Sequence, residues 1–262
     1  MTITQSQQAN RHSWFRPFME AFFSDLEAFD KSLHFSKAGI AKLQGSARMA
    51  QALVPFLGNE PLNLEEAEAE SAWAKSETAA GFPTLHAFAT ITLWALLESL
   101  VRELLTTWLN REQHLLGAKI FSKIRVPLSD VLPLQGDERG EYLASIVERE
   151  LGAGLKKGVA RFELLLEPFG LAGSVDERTK NLIFELAQIR NNIVHRAMIV
   201  DKQLVQCCPN LNLKAGERLK LDQNLYRQYF LAVNDYLLTI IVRVGEYYEL
   251  DMQETRDVLG QY

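Results

Sequence analysis

The sequence predicts an all-α protein, a bundle of long helices. Three observations carry that expectation. Apolar residues recur three and four apart along nearly the whole chain, the period of helices packed on one face. Breakers are few, 15 glycines and 8 prolines in 262 residues, and they gather where helices should begin or end: "GNEPLN" (58–63), "GFP" (81–83), "VPLSDVLPLQGD" (126–137) and "PFGLAG" (168–173). Finally, 47% hydrophobic and 23% charged residues suit a globular chain with a full core.

Taken in order, the periodicity predicts helices near 13–34, 37–57 and 63–79. These form an N-terminal accessory region over residues 1–80, whose acidic stretch "LNLEEAEAESAWAKSE" (62–77) reads as a helix start with an exposed charged face. The larger helical domain, 81–262, begins with a helix over 84–112. Further helices follow near 138–151, 154–168 and 175–198. The segment "MIVDKQLVQCCPNLNLKAGERLKLD" (198–222) interrupts this pattern with short apolar runs broken by Pro209, Asn210 and Gly216. It reads as an irregular loop or small β-hairpin inserted before the last long helix, 222–258. In that helix Tyr226, Phe230, Val233, Leu237, Ile240, Val244 and Tyr248 make a stripe that belongs to the core.

Charge and composition narrow the functional classes. A net charge of −5 argues against a protein that coats duplex nucleic acid by bulk electrostatics. Lys156, Lys157 and Arg161, with Arg178, Lys180, Arg190 and Arg196, form two local basic patches; all except Arg190 read as solvated helix faces. The apolar runs around "FATITLWALLESLV" and "YLLTIIVRVG" look too short and too charged to span a membrane. The polar start "MTITQSQQANRHSWF" has no signal-peptide core, so a cytoplasmic location is expected. The two cysteines, Cys207 and Cys208, are adjacent and read as free thiols. His12, His34, His86 and His114 have no partner at metal-ligand spacing, so no metal or cofactor is expected.

The informative stretch is "RNNIVH" (190–195), near the end of an otherwise apolar helix. Asparagine is a poor helix former because its side chain competes for backbone hydrogen bonds, so two in succession suggest a special demand. At 100° per residue, Leu182, Leu186, Ile189 and Ile193 define a core face. Asn191 and His195, four apart, share the face pointing away from it. Ile183 and Val194 lie off the main stripe, as expected if the helix also packs on a second protomer. In a two-fold dimer, Asn191 and His195 of both chains would meet in one cleft rimmed by Arg190. One imidazole would take a proton from a ribose 2′-hydroxyl and another would protonate the leaving 5′-oxygen, while a guanidinium fork holds the phosphate. RNA would be cut without a metal, and DNA, lacking the 2′-hydroxyl, would be spared. The Arg–His spacing by itself is weak, since about one such match is expected by chance.

At these residues the chain resembles the HEPN superfamily, whose motif is Arg, a polar residue, a short spacer and His. "FATITLWALLESLVRELLTTWL" (88–109) is similar to the earlier helix of that family, which often carries an acidic residue facing the motif. The insert followed by a long helix resembles the tail of a subgroup found in bacterial defence loci. The resemblance spans roughly residues 82–258 and implies an all-α homodimer acting as a ribonuclease of toxin–antitoxin, abortive-infection or phage-defence systems. By position it makes Arg190 the phosphate ligand, His195 the acid/base, Asn191 its polar support and Glu98 the acidic partner. The implied partners are an RNA, with tRNA one structured candidate, a second copy of the chain, and an antitoxin or defence-complex subunit. Some family toxins carry a modifiable Tyr three residues after the His; here that position is Met198. Two readings stand beside the nuclease: a catalytically silent nucleotide- or RNA-binding module, and a helical interaction subunit. On the bland view, Glu98 forms a surface salt bridge with Arg102.

Overall fold

The computed structural model describes residues 12–56 and 63–259. The first eleven residues and most of the "GNEPLN" break lie outside them. Among the described residues there are eleven α-helices and no strand: α1 (Phe15–Leu43), α2 (Ser46–Leu53), α3 (Leu64–Ala79), α4 (Pro83–Arg111), α5 (Leu128–Val131), α6 (Gly136–Leu151), α7 (Val159–Leu166), α8 (Glu177–Arg196), α9 (Lys202–Cys207), α10 (Gln223–Tyr247) and α11 (Gln253–Val258). The protein is an all-α helical bundle.

Local chemistry sets the ends of these helices. Asn63 accepts from Glu66 N at 3.1 Å while its own amide reaches the Glu66 carboxylate at 3.0 Å, a reciprocal cap on α3. Asp176, Asp201 and Asp222 cap α8, α9 and α10 by accepting from the backbone N–H three residues on. Pro83 opens α4, at a position where its missing N–H costs nothing.

α4 is the axis. It packs against α1, α6, α8 and α10, and its Leu93, Leu97, Leu104 and Trp108 are almost completely buried. At 29 residues α4 is long and apolar enough to cross a membrane, contrary to the shorter run expected from sequence. Half of its most apolar window is buried in the bundle. α6 approaches α4 so closely at Gly140 that a Cβ there would lie 2.6 Å from the Thr106 carbonyl oxygen, so only glycine fits.

Four boundaries differ from the sequence expectation, each for a local reason. The helices expected at 13–34 and 37–57 begin as one, α1, which runs through "HFSKAG" to Leu43. Ser32 and Ser36 direct their hydroxyls to the carbonyls one turn back, at 2.8 Å each, and so remain helical. The last helix stops at Tyr247: Glu249 takes φ 57°, Leu250 N turns back to the Gly245 carbonyl at 2.9 Å, and α11 follows. The expected helix 154–168 contracts to α7, flanked by 3₁₀ turns. The expected hairpin is a single antiparallel bridge, Ile199 to Arg218, with α9 and a 3₁₀ turn in the span between.

The N-terminal region does not stand apart. Trp14, Phe15, Met19, Phe22, Leu26 and Leu33 share one hydrophobic core with α4, α8 and α10, so the proposed boundary at residue 80 is not a gap in packing. Trp14 Nε1 donates to the Tyr248 hydroxyl at 3.2 Å, and that hydroxyl donates to Glu112 at 2.9 Å.

Both cysteines are free. Cys207 is half-buried and Cys208 buried, and burial, reinforced by Glu185, pushes the Cys208 thiol up to about 12. At pH 8 only about one part in 10⁴ of Cys208 is then thiolate. Iodoacetamide should place one adduct on the folded protein, at Cys207, and a second only after denaturation. Mass spectrometry showing both thiols alkylated at similar rates would contradict this.

Candidate functional site

α8 buries one face along most of its length and turns the other outward. Ile183, Leu186, Ile189 and Ile193 are buried, and Gln188 and Asn192 are buried with them, at 5% and 4% exposure. Asn191 and His195 face solvent. The helix then ends abruptly, because Ala197 and Met198 take positive φ values of 49° and 67°. Asn192 holds this reversal by donating from Nδ2 to the Ile199 carbonyl at 2.9 Å. Beyond it, Val200 pairs with Glu217 and Gly216, and Leu219 N reaches the Met198 carbonyl at 2.7 Å.

The reversal brings the start of α9 alongside the end of α8 and leaves a cleft of about 370 Å³. Lys157, Gln188, Asn191, Asn192, His195 and Arg196 line it, with Asp201 at its edge. Arg196 Nε lies 3.3 Å from the Asp201 carboxylate. Lys157 Nζ reaches Gln188 Oε1 at 3.4 Å. Gln188 Nε2 and Asn192 Oδ1 are buried and have no partner among the described residues. The cleft therefore combines an accessible imidazole, two cationic side chains and a wall of half-satisfied amides. These are groups that bind and orient an anion bearing hydrogen-bonding functions.

Arg190 is placed differently. It is half-buried and does not line the cleft. Five residues separate it from His195, about 140° of helix rotation, so the two side chains leave α8 on different faces. Arg190 instead engages Asn191, whose Oδ1 accepts from Arg190 Nη1 at 3.1 Å. Arg190 Nε is buried and has no partner among the described residues.

Glu98 is not brought to the motif. Its carboxylate is paired with Arg161 of α7, which also binds Glu148 of α6 at 2.8 Å. Neither expected partner of Glu98, Arg190 or Arg102, engages it. Arg161 lies 63 positions along the chain, beyond the reach of helical spacing.

The sequence reading missed Lys157, Gln188, Asn192 and Arg196 as cleft residues. Lys157 and Arg196 had been assigned to solvated faces, and Asn192 to the spacer. A signal for two of them was present: Gln188, Asn192 and His195 stand at i, i+4 and i+7, a polar stripe along one helix face. Ile183, expected at a partner contact, is fully buried within the chain, whereas Val194 and Ile199 beside the motif are 47% and 44% exposed.

The two successive left-handed residues suggest a stability test. Ala in this conformation costs about 1 kcal/mol that Gly does not. Ala197→Gly should therefore stabilise the fold by about 0.5–1 kcal/mol, read as a higher Tm by calorimetry. A lower Tm would show that the αL turn is not strained.

Comparison of the chain with known protein families, curated proteins and solved structures gives no match.

Proposed function

We propose that the protein is a metal-independent endoribonuclease of the bacterial cytoplasm, HEPN-like and homodimeric, acting in a toxin–antitoxin, abortive-infection or phage-defence system. The observation that carries this reading is the open cleft in which His195 and Asn191 stand beside Lys157 and Arg196. In the proposed reaction His195 removes the ribose 2′ proton and the 2′-oxygen attacks phosphorus. The 5′-oxygen departs with a proton from a second imidazole, leaving a 2′,3′-cyclic phosphate. Lys157 and Arg196 hold the phosphate as its charge builds, and Asn191 orients either the imidazole or Arg190.

A second copy of the chain fits this chemistry in two ways. It supplies the second His195, and it covers the exposed Val194 and Ile199. Arg190 then contributes from the rim, through Asn191. A single-stranded or structured RNA such as tRNA is the expected substrate, because a chain with net charge −5 has little non-specific pull on duplexes. The test is incubation of the purified protein with total cellular RNA in excess EDTA, run on a denaturing gel, with light scattering to establish the dimer. Discrete fragments ending in cyclic phosphate support the reading; intact RNA with a folded dimer contradicts it.

One observation favours a second reading, a binding module without chemistry. Arg190 leaves α8 on a different face from His195, and the cleft wall is made of the two buried amides, Gln188 and Asn192. Such a module binds RNA in EDTA and leaves it whole.

A further inference from the structure

A second polar cavity lies on another part of the bundle, where α1 meets the start of α10. It encloses about 400 Å³. One face of α1 contributes Asp30, His34 and Lys37 at helical spacing, and α10 contributes Gln223, Tyr226 and Arg227, with Leu33, Phe230 and Leu231 as apolar lining. No residue lining the motif cleft lines this one.

Two features distinguish it from a surface dent. Among the described residues, neither Lys37 nor Arg227 forms an ion pair, so two cations face the cavity with one acid, Asp30. The Tyr226 side chain is held in place at 5% exposure by a ring stacked on His86, centroids 5.5 Å apart. Its hydroxyl is buried and has no hydrogen-bond partner among the described residues. An unpaired buried hydroxyl is costly and awaits a partner.

We propose that this cavity binds a hydroxyl-bearing phosphomonoester, the chemistry of a sugar phosphate. Lys37 and Arg227 hold the phosphate. Tyr226 donates its hydroxyl to the ligand, and Asp30 accepts from a ligand hydroxyl. A purely anionic ligand would have no use for Asp30, whereas a ligand with both a phosphate and hydroxyls uses the acid as well as the two cations. Leu33, Phe230 and Leu231 exclude water from the carbon skeleton. Burial already lowers the Lys37 ammonium from its ordinary range, a cost that a bound dianion would offset.

Calorimetric titration of the full chain with ribose 5-phosphate, inorganic phosphate and ribose tests this. One equivalent of ribose 5-phosphate should bind saturably, inorganic phosphate more weakly, and ribose undetectably. Lys37→Met and Arg227→Gln, both at solvent-accessible positions, should each weaken ribose 5-phosphate about tenfold. Tyr226→Phe keeps the ring stack and should weaken it several-fold. His195→Ala should leave it unchanged. No binding of ribose 5-phosphate, or binding that survives Lys37→Met and Arg227→Gln in protein with a wild-type circular dichroism spectrum, overturns the proposal. Equal binding of ribose and ribose 5-phosphate also overturns it, because the phosphate contacts would then contribute nothing.

Discussion

His195→Ala is expected to reduce RNA cleavage in EDTA by about 10²–10⁴-fold, the range associated with losing a positioned general acid or base. Tm and dimer formation should stay as in the wild type, because the imidazole is exposed and makes no contact that holds the fold. Lys157→Ala separates binding from chemistry. It should weaken RNA binding, with KM rising more than kcat falls, and lower the slope of log affinity against log salt by about one, the signature of one lost phosphate contact. Arg190→Ala is expected to act through Asn191, with a smaller loss than His195→Ala. Full cleavage by His195→Ala would sink the acid–base role outright. Loss of the dimer in the same variant would instead assign His195 to assembly.

The second large effect concerns stability. Glu163 of α7 accepts from the Tyr236 hydroxyl and from Arg243 Nη1, both at 2.8 Å, and its other oxygen accepts from Gly173 N at 2.8 Å. Arg243, in turn, donates to the Leu171 and Ser174 carbonyls. The Arg243 and Glu163 side chains are only 11% and 18% exposed. Glu163→Ala would leave a guanidinium and a buried phenol facing a void. Removing one partner of a buried pair costs about 3–5 kcal/mol. For a chain of this size that lowers Tm by about 10 °C. Glu163→Ala with Arg243→Met should recover much of the loss, since the orphaned charge goes too. A single-variant loss below about 1 kcal/mol would show that water reaches the pair and that it counts as a surface bridge.

Helices whose ends carry their own chemistry were legible in the sequence. α3, α4 and α8 stop and start within a few residues of expectation because Asn63, Pro83 and Asp176 fix their N-termini. The core stripe of α10 was legible for the same reason that it is buried: its period matches the helix. The run of α1 through residue 36 was not, because nothing in its apolar spacing shows that two serines can satisfy their hydroxyls on the helix itself. The site divides along the same line. The exposure of Asn191 and His195 follows from rotation about one helix. The positions of Lys157 and Arg161 do not, since they are decided by how α7 lies against α8 and α4. For that reason Glu98 found Arg161, and the cleft gained a lysine that spacing alone had placed in solvent.

The contact between Trp14, Trp108 and Tyr248 ties the start of α1 and the end of α10 to the last turn of α4. Such a fastening couples the first turn of α1 to the end of α10, so hydrogen exchange should protect these two segments to a similar degree. The accessory helices share their core with the larger helical domain. A cut after residue 80 would strip Trp108 and Tyr248 of a wall and expose an apolar seam, so the shortened chain should show a lower Tm by calorimetry than the full one.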